Sequence, residues 1–304
     1  MSTTATAGPA AAHARREAWK RRLPLLPALI FTIVATQIPF LITIWYSLRS
    51  WNLLNPDSND FVGLRNYVSI FTDRTFRQVA LNSVGYTLGC VTLAMLLGIG
   101  LALLLDRKFL GQGVVRTMLI TPFLIMPVVS AILWSISMFN PTFGLVNWAL
   151  GLVGIPAIAW TAQYPFVSVL IAIVWQWTPF MMLLVLAGLQ SQPKDVLEAA
   201  QMDGASALTT FGFVTLPHLR RYIELGVLLG AIYVVNTFDQ IYLMTAGGPG
   251  TQSANLPFYI YQRAFLGFDV GQAAAMGVVV VIATIFVAMV ALRLIFKSFM
   301  SPEE

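Results

Sequence analysis

Six apolar runs, each long enough to cross a bilayer, limit what this chain can fold into. They cover residues 23–47, 79–105, 114–139, 166–189, 222–244 and 270–296. A helix crosses the hydrocarbon layer of about 30 Å in about 20 residues. The breaks between runs hold charges, prolines or turn residues such as Asn55-Pro56-Asp57, Asn140-Pro141 and Gly247-Gly248-Pro249-Gly250. Composition agrees: 58% of the residues are hydrophobic and only 10% are charged, against about 45–50% and about 25% in soluble domains. A cytosolic enzyme, a disulfide scaffold and a nucleic-acid binder are all poor fits. Cys90 has no second cysteine to pair with, and with His13 and His218 it cannot make a typical zinc site. The expected fold is all-α and integral to the membrane, with six transmembrane helices in one domain. The first run is too long for a signal-peptide core and continues to Tyr46 and Arg49 without a small-residue cleavage site.

The basic residues orient the runs. Arg15, Arg16, Lys20, Arg21 and Arg22 precede the first run, and Arg107, Lys108 and Arg116 lie in the second loop. Lys194, Arg220 and Arg221 lie in the fourth, and Arg293 and Lys297 close the last. The opposite side holds Arg49, Arg65, Arg74, Arg77 and Arg263, and residues 140–165 contain no Lys or Arg at all. Both ends are therefore expected in the cytoplasm. Residues 1–22 read as a disordered basic tail, 23–298 as the membrane domain and 299–304 as a short tail.

The chain has no GxxxxGK[ST] phosphate loop, and Gly247–Gly250 reads as a turn because no lysine or helix start follows. Neither histidine has a nucleophile in a plausible catalytic setting, so no enzyme activity is expected. The fourth loop carries more information. From Lys194 it reads as a short helix with acidic residues in its first turns, a slim face at Ala199 and Ala200, and a stop at Gly204. A surface linker between two spans and a helix built to insert into another protein both fit that pattern.

Glu198-Ala199-Ala200, followed by Asp203-Gly204 and then Val214-Thr215-Leu216-Pro217, resembles the EAA signature of bacterial ABC-importer permeases, with Val214 where Ile is usual. The similarity to the MalF/LacF/UgpA type of the carbohydrate-uptake class covers nearly the whole chain. Phe61-Val62-Gly63-Leu64-Arg65-Asn66-Tyr67 resembles its F-x-G-L-x-N-Y element. Gly111-Gln112-Gly113 with Arg116 and Pro122, Leu186–Gln190 with Pro193, and Phe238–Tyr242 with Gly247-Gly248-Pro249 follow in the family's order. The resemblance implies a MalF-type permease fold and one of two permease subunits in a binding-protein-dependent importer. It further implies a MalG-type partner, an ATP-binding cassette ATPase dimer and an extracytoplasmic solute-binding protein. ATP and Mg would be bound by the ATPase, with no cofactor in this chain. Glu198, Ala199, Ala200, Asp203, Gly204, Leu216 and Pro217 would make the ATPase-coupling contact.

Polar residues inside spans are candidates for the solute pathway. Tyr233, Asn236, Thr237 and Gln240 are spaced to share one face of a continuous helix. An aromatic ring with amides suits a sugar or polyol, and amides that only bond neighbouring helices are the structural alternative. Asp239 reads as a structural group near the outer end. Gln176 lies in a second cluster with Trp175, Trp177 and Pro179, where a kink at Pro179 is expected. Asn82 and Tyr86 are placed to line the same cavity, with Gly85 and Gly89 allowing close helix approach. The absence of Lys or Arg from the interior of the spans, away from their ends, favours a neutral solute over a phosphate-bearing one. In the outer loops, Leu64, Tyr67, Val68 and Phe71 predict a short interfacial helix. A proton- or sodium-coupled carrier using Asp239 is the competing function, and it leaves the fourth-loop signature unexplained.

Overall fold

The structure, a computed structural model, describes residues 23–300 apart from residue 56. The expected basic tail, residues 1–22, and residues 301–304 lie outside the described residues. Among the described residues the fold is helical, with only isolated bridges such as Arg49 to Phe61 in place of strands.

The first apolar run forms α1, Leu26–Ser47, and the interfacial helix expected after it is α2, Arg65–Thr72. The F-x-G-L-x-N-Y element joins them. Asn66 Nδ2 donates to the carbonyls of Ser47 and Arg49, both at 2.8 Å, and the Tyr67 hydroxyl meets Ser47 Oγ at 2.6 Å. These bonds meet carbonyls left over at the end of α1. Leu64, Val68 and Phe71 stay exposed beside α2, as a helix lying in an interface requires.

The second run forms α3, Arg74–Leu105, whose first turn is capped by Asp73 accepting from Thr75 N at 2.8 Å. The third run bends. It forms α4, Gln112–Leu124, then α5, Pro127–Ile132, which passes into a π-helical stretch at Leu133–Met138, and the two halves meet at 97°. Pro127 supplies no N–H and disfavours helical geometry in Met126, so Ile125 and Met126 are extended. The uncharged outer loop holds α6, Leu145–Leu152, and α7, Trp160–Gln163. Asn147 closes it, donating to the carbonyls of Asn140 and Ile158 and accepting from Ile158 N and Trp160 Nε1.

The fourth run is α8, Pro165–Gln190, continuous through Pro179. The fourth loop follows as α9, Lys194–Met202, and α10, Ala207–Thr210. After a π-helical stretch at Phe211–Thr215 comes α11, Leu216–Val234, then α12, Asp239–Met244, and α13, Leu256–Tyr261. The sixth run is α14, Val270–Met300.

α8 is the axis of the bundle. α3 runs parallel to it, with Gly85 against Phe166, Gly89 against Leu170 and Gly98 against Met181. Gly98 makes the closest approach: a Cβ there would lie 2.8 Å from both Met181 Cβ and the backbone nitrogen of Met182. Ala94 and Ala102, one turn to either side, are fully buried, so a stripe of small residues lets the two backbones meet. α11 packs antiparallel on the same faces, and α14 covers α1.

Four helices are long and apolar enough to cross a membrane alone: Leu26–Ser47, Arg74–Leu105, Pro165–Gln190 and the Val270–Met289 part of α14. The bent third run makes a fifth when its two halves are counted as one span. The fifth run departs from the single helix expected over 222–244. It stops at Val234 and restarts at Asp239. Asn236 Nδ2 bonds back to the Ile232 carbonyl at 2.8 Å, and Asn255 Nδ2 takes the Thr237 carbonyl. Side-chain amides therefore replace the helical partners that the break removes.

Candidate functional site

The residues with candidate roles fall into two groups, one at the basic end of the bundle and one around the break in the fifth run. At the basic end, α9 starts after Pro193, carries Asp195 in its first turn and is exposed along most of its length. Glu198, Ala199 and Asp203 are exposed and Ala200 is half-buried. Gly204 has φ +78°, with its N–H on Gln201 O and the Ala205 N–H on Ala200 O, both at 3.0 Å. That is a Schellman closure, which needs a left-handed residue where glycine fits without strain. Ser206 then caps α10 by accepting from Thr209 N. Leu216 and Pro217 are exposed at the start of α11. The loop is anchored from below: His218 Nε2 lies 3.1 Å from the Gly188 carbonyl, and the Tyr222 hydroxyl 2.7 Å from Ser191 Oγ. Several apolar side chains beside the helix have no cover, with Met202 88% and Phe213 81% exposed.

The second group does not form the single face expected of it. Because the helix ends at Val234, Tyr233 lies on α11, Asn236 in the break and Gln240 on α12. Tyr233 is 58% exposed and stacks on Trp177, with ring centroids 5.5 Å apart. Phe123 and Phe180 extend the cluster. Asn236 is exposed beside it, its amide nitrogen bonded to backbone. Asp239 is half-buried and has no hydrogen-bond or ion-pair partner among the described residues.

Gln240 and Gln176 turn inward. Both are buried, and Gln240 Nε2 donates to Gln176 Oε1 at 2.6 Å. Gln176 Nε2 in turn donates to the Ile125 carbonyl at 2.8 Å. One relay thus joins α12 to α8 and to the carbonyl freed by the bend in the third run. Gln240→Ala would leave Gln176 Oε1 buried and unpaired, at a cost of about 1–3 kcal/mol. Gln176→Leu should cost more, since it also strands the Ile125 carbonyl. Chemical unfolding of the purified protein in detergent measures both. Unchanged stability with altered apparent affinity for solute would instead make Gln240 a solute ligand.

Asn82 and Tyr86 are held by backbone rather than left facing a cavity. Asn82 Nδ2 lies 2.9, 3.2 and 3.0 Å from the carbonyls of Thr251, Gln252 and Ala254, and the Tyr86 hydroxyl donates to Ser253 O at 3.1 Å. Ser83 Oγ, between them, accepts from Leu256 N at 2.8 Å. One face of α3 therefore grips the loop that follows α12. Ser83 and Asn255 were not singled out in the sequence, where a lone serine and an amide in a loop carry no periodic signal. Nor was the clamp at Asp73: its Oδ2 accepts from the Tyr259 hydroxyl at 3.0 Å and from Arg263 Nη2 at 3.3 Å. Burial pushes the Asp73 carboxyl up, but the Thr75 N–H, Tyr259 and Arg263 outweigh it and hold it below its ordinary value.

A bundle with long, outwardly exposed apolar helices, broken helices meeting at buried amides and an exposed helix at its basic end defines a polytopic membrane protein. Residues 94–300 match the family described as binding-protein-dependent transport system inner membrane component, and the chain belongs to that family. It is a multi-pass inner-membrane protein of the ABC-importer permease class. The trehalose/maltose transport system permease protein MalF of Thermococcus litoralis is 35% identical over 280 residues, 91% of this chain and 94% of that one. The trehalose transport system permease protein SugA of Mycobacterium tuberculosis is 36% identical over 277 residues, 88% of each chain. Among solved structures, a chain of a bacterial ABC transporter involved in the import of the acidic polysaccharide alginate shares the fold. Its TM-score is 0.80 at 20% identity, covering 97% of this chain and all of that one.

Proposed function

We propose that this chain forms half of the translocation pathway of an ATP-driven importer for a neutral sugar or polyol. In this reading a second permease subunit completes the pathway, a pair of ATPase subunits sits at the basic end, and a solute-binding protein docks on the opposite side. Six spans with both ends in the cytoplasm fit that arrangement, with the broken fifth run counted as one crossing. The observation that carries the reading is α9: an exposed short helix, terminated by Gly204, anchored on α8 and α11 and flanked by uncovered Met202 and Phe213. A rigid helix of this kind can transmit closure of a partner to the spans as rigid-body motion. ATP and Mg2+ would be handled by the partner, in keeping with the lack of a phosphate loop. The names of the relatives, trehalose and maltose systems among them, support a sugar. The exposed Tyr233–Trp177 stack, beside Asn236, offers a ring face and an amide for such a solute.

Tagging the chain in its native membrane, extracting it gently and identifying stoichiometric companions by mass spectrometry tests the assembly. A second permease and an ATPase are expected. Recovery of the chain alone or as a homo-oligomer, with uptake that follows pH through Asp239, would favour the coupled carrier instead. Two substitutions test the coupling helix. Glu198→Ala removes an exposed carboxylate, and Gly204→Asp puts a second exposed carboxylate beside Asp203 at the left-handed position that ends α9. Both should cut uptake at least about tenfold, equivalent to about 1.4 kcal/mol of coupling, while membrane insertion stays normal. Normal uptake by both would remove α9 from the mechanism.

A further inference from the structure

A groove of about 460 Å3 opens between α3, α4 and α8. Leu93, Leu97 and Leu101 run along one wall at helical spacing, Leu119 faces them from α4, and Trp134 and Trp175 close the far end edge to face at 5.8 Å. From Leu93 to Leu101 the wall spans about 12 Å. The lining carries no charge. Its one hydroxyl, on Thr178, is already donated to the Val174 carbonyl at 2.7 Å. Apart from the indole N–H groups of Trp134, which has no hydrogen-bond partner among the described residues, and Trp175 at the far end, such a surface within spanning segments offers no polar group to a solute.

The basic end of this groove is different. Leu105 ends α3, and Arg107 and Lys108 follow within one turn. Gln112 Nε2 donates to the Leu105 carbonyl at 2.6 Å, which brings the start of α4 against the end of α3. Arg116 then lies three residues before Leu119, on the groove's face of α4. All three cations are exposed and have no ion pair or side-chain hydrogen bond among the described residues. Between them Leu110 is fully exposed and Phe109 is 42% exposed, apolar side chains that a headgroup-level interface would cover.

We propose that this corner binds an anionic phospholipid, with its phosphate at Arg107, Lys108 and Arg116 and one acyl chain along the leucine wall. Cations at the mouth match the headgroup and the uncharged groove matches the chain. Basic pockets between spans at the inner leaflet recognise anionic lipids by this combination. The inference needs only that the chain spans a membrane, so it stands or falls separately from the importer reading.

The groove's own tryptophans report the test. The full chain, purified with whatever companions it retains, is titrated with phospholipid carrying dibrominated acyl chains, which quench nearby indoles. The signal is the difference between this protein and its Trp134→Phe/Trp175→Phe variant. Phosphatidylglycerol should reach half-quenching at a concentration about fivefold below phosphatidylcholine, the factor expected for one cation at a lipid surface. Arg107→Gln/Lys108→Gln/Arg116→Gln should erase that preference, and Arg107→Lys/Arg116→Lys should keep it. Leu97→Phe, which narrows the groove and leaves the cations, should weaken quenching by both lipids. Equal quenching by the two headgroups would overturn the proposal, as would a preference that survives loss of the three cations. Absence of any groove signal, as when another protein chain covers the site, would overturn it too.

Discussion

Gly98→Val should destabilise the bundle by about 3 kcal/mol, the upper end of the usual cost of overpacking a core. The first added carbon would meet Met181 Cβ and the Met182 backbone nitrogen at 2.8 Å, and Met181 C at 3.0 Å. Two of those three atoms are backbone, so no rotamer change relieves the clash and α3 must move away from α8. That movement would loosen Ala94, Ala102, Met181 and Met182, all fully buried. Thermal unfolding in detergent, followed by circular dichroism, should show the loss as a lowered midpoint. Gly100→Val is the control, since a Cβ at Gly100 meets nothing within 4 Å. Equal stability of the two variants would mean that the α3–α8 crossing is not the seat of the fold's stability.

Asn82→Ala should have the next largest effect, of a different kind. One amide nitrogen serves the carbonyls of Thr251, Gln252 and Ala254, and Asn82 Oδ1 accepts from Gln78 at 3.1 Å. Removing it leaves the buried Ala254 carbonyl and the half-buried Thr251 and Gln252 carbonyls without their donor, for a cost of about 1–3 kcal/mol. The effect should be local. Hydrogen exchange across residues 247–256 should speed up by at least about tenfold, equivalent to about 1.4 kcal/mol of local opening, while exchange in α8 stays unchanged. Tyr86→Phe removes only the bond to Ser253 O and should do less. Uniform acceleration throughout the bundle would show that the loop is a part of the core instead of a unit docked on it.

Both predictions rest on residues whose importance depends on what they touch. The run of apolar residues needed for each crossing, the basic bias that orders the loops and the stop at Gly204 are local properties, and the sequence expresses them directly. The family resemblance was legible for the same reason: the fourth-loop signature is contiguous, and its glycine takes the left-handed backbone that ends α9. Pro127 even marks where the third run turns, because a proline restricts its own backbone and the residue before it. Long-range pairing is another matter. Near Val234 only Asn236 marks the break in the fifth run, by bonding back to the Ile232 carbonyl, and the amide that takes the Thr237 carbonyl belongs to distant Asn255. Periodicity put Tyr233, Asn236 and Gln240 on one face. The fold separated them, turning Gln240 inward to Gln176 and leaving Tyr233 exposed on Trp177. Asn82 and Tyr86 were recognisable as polar groups on one face of a span, but only the returning loop decided that their partners are backbone carbonyls. A sequence states which groups need satisfaction inside a membrane. Which distant group satisfies them is decided when the helices pack.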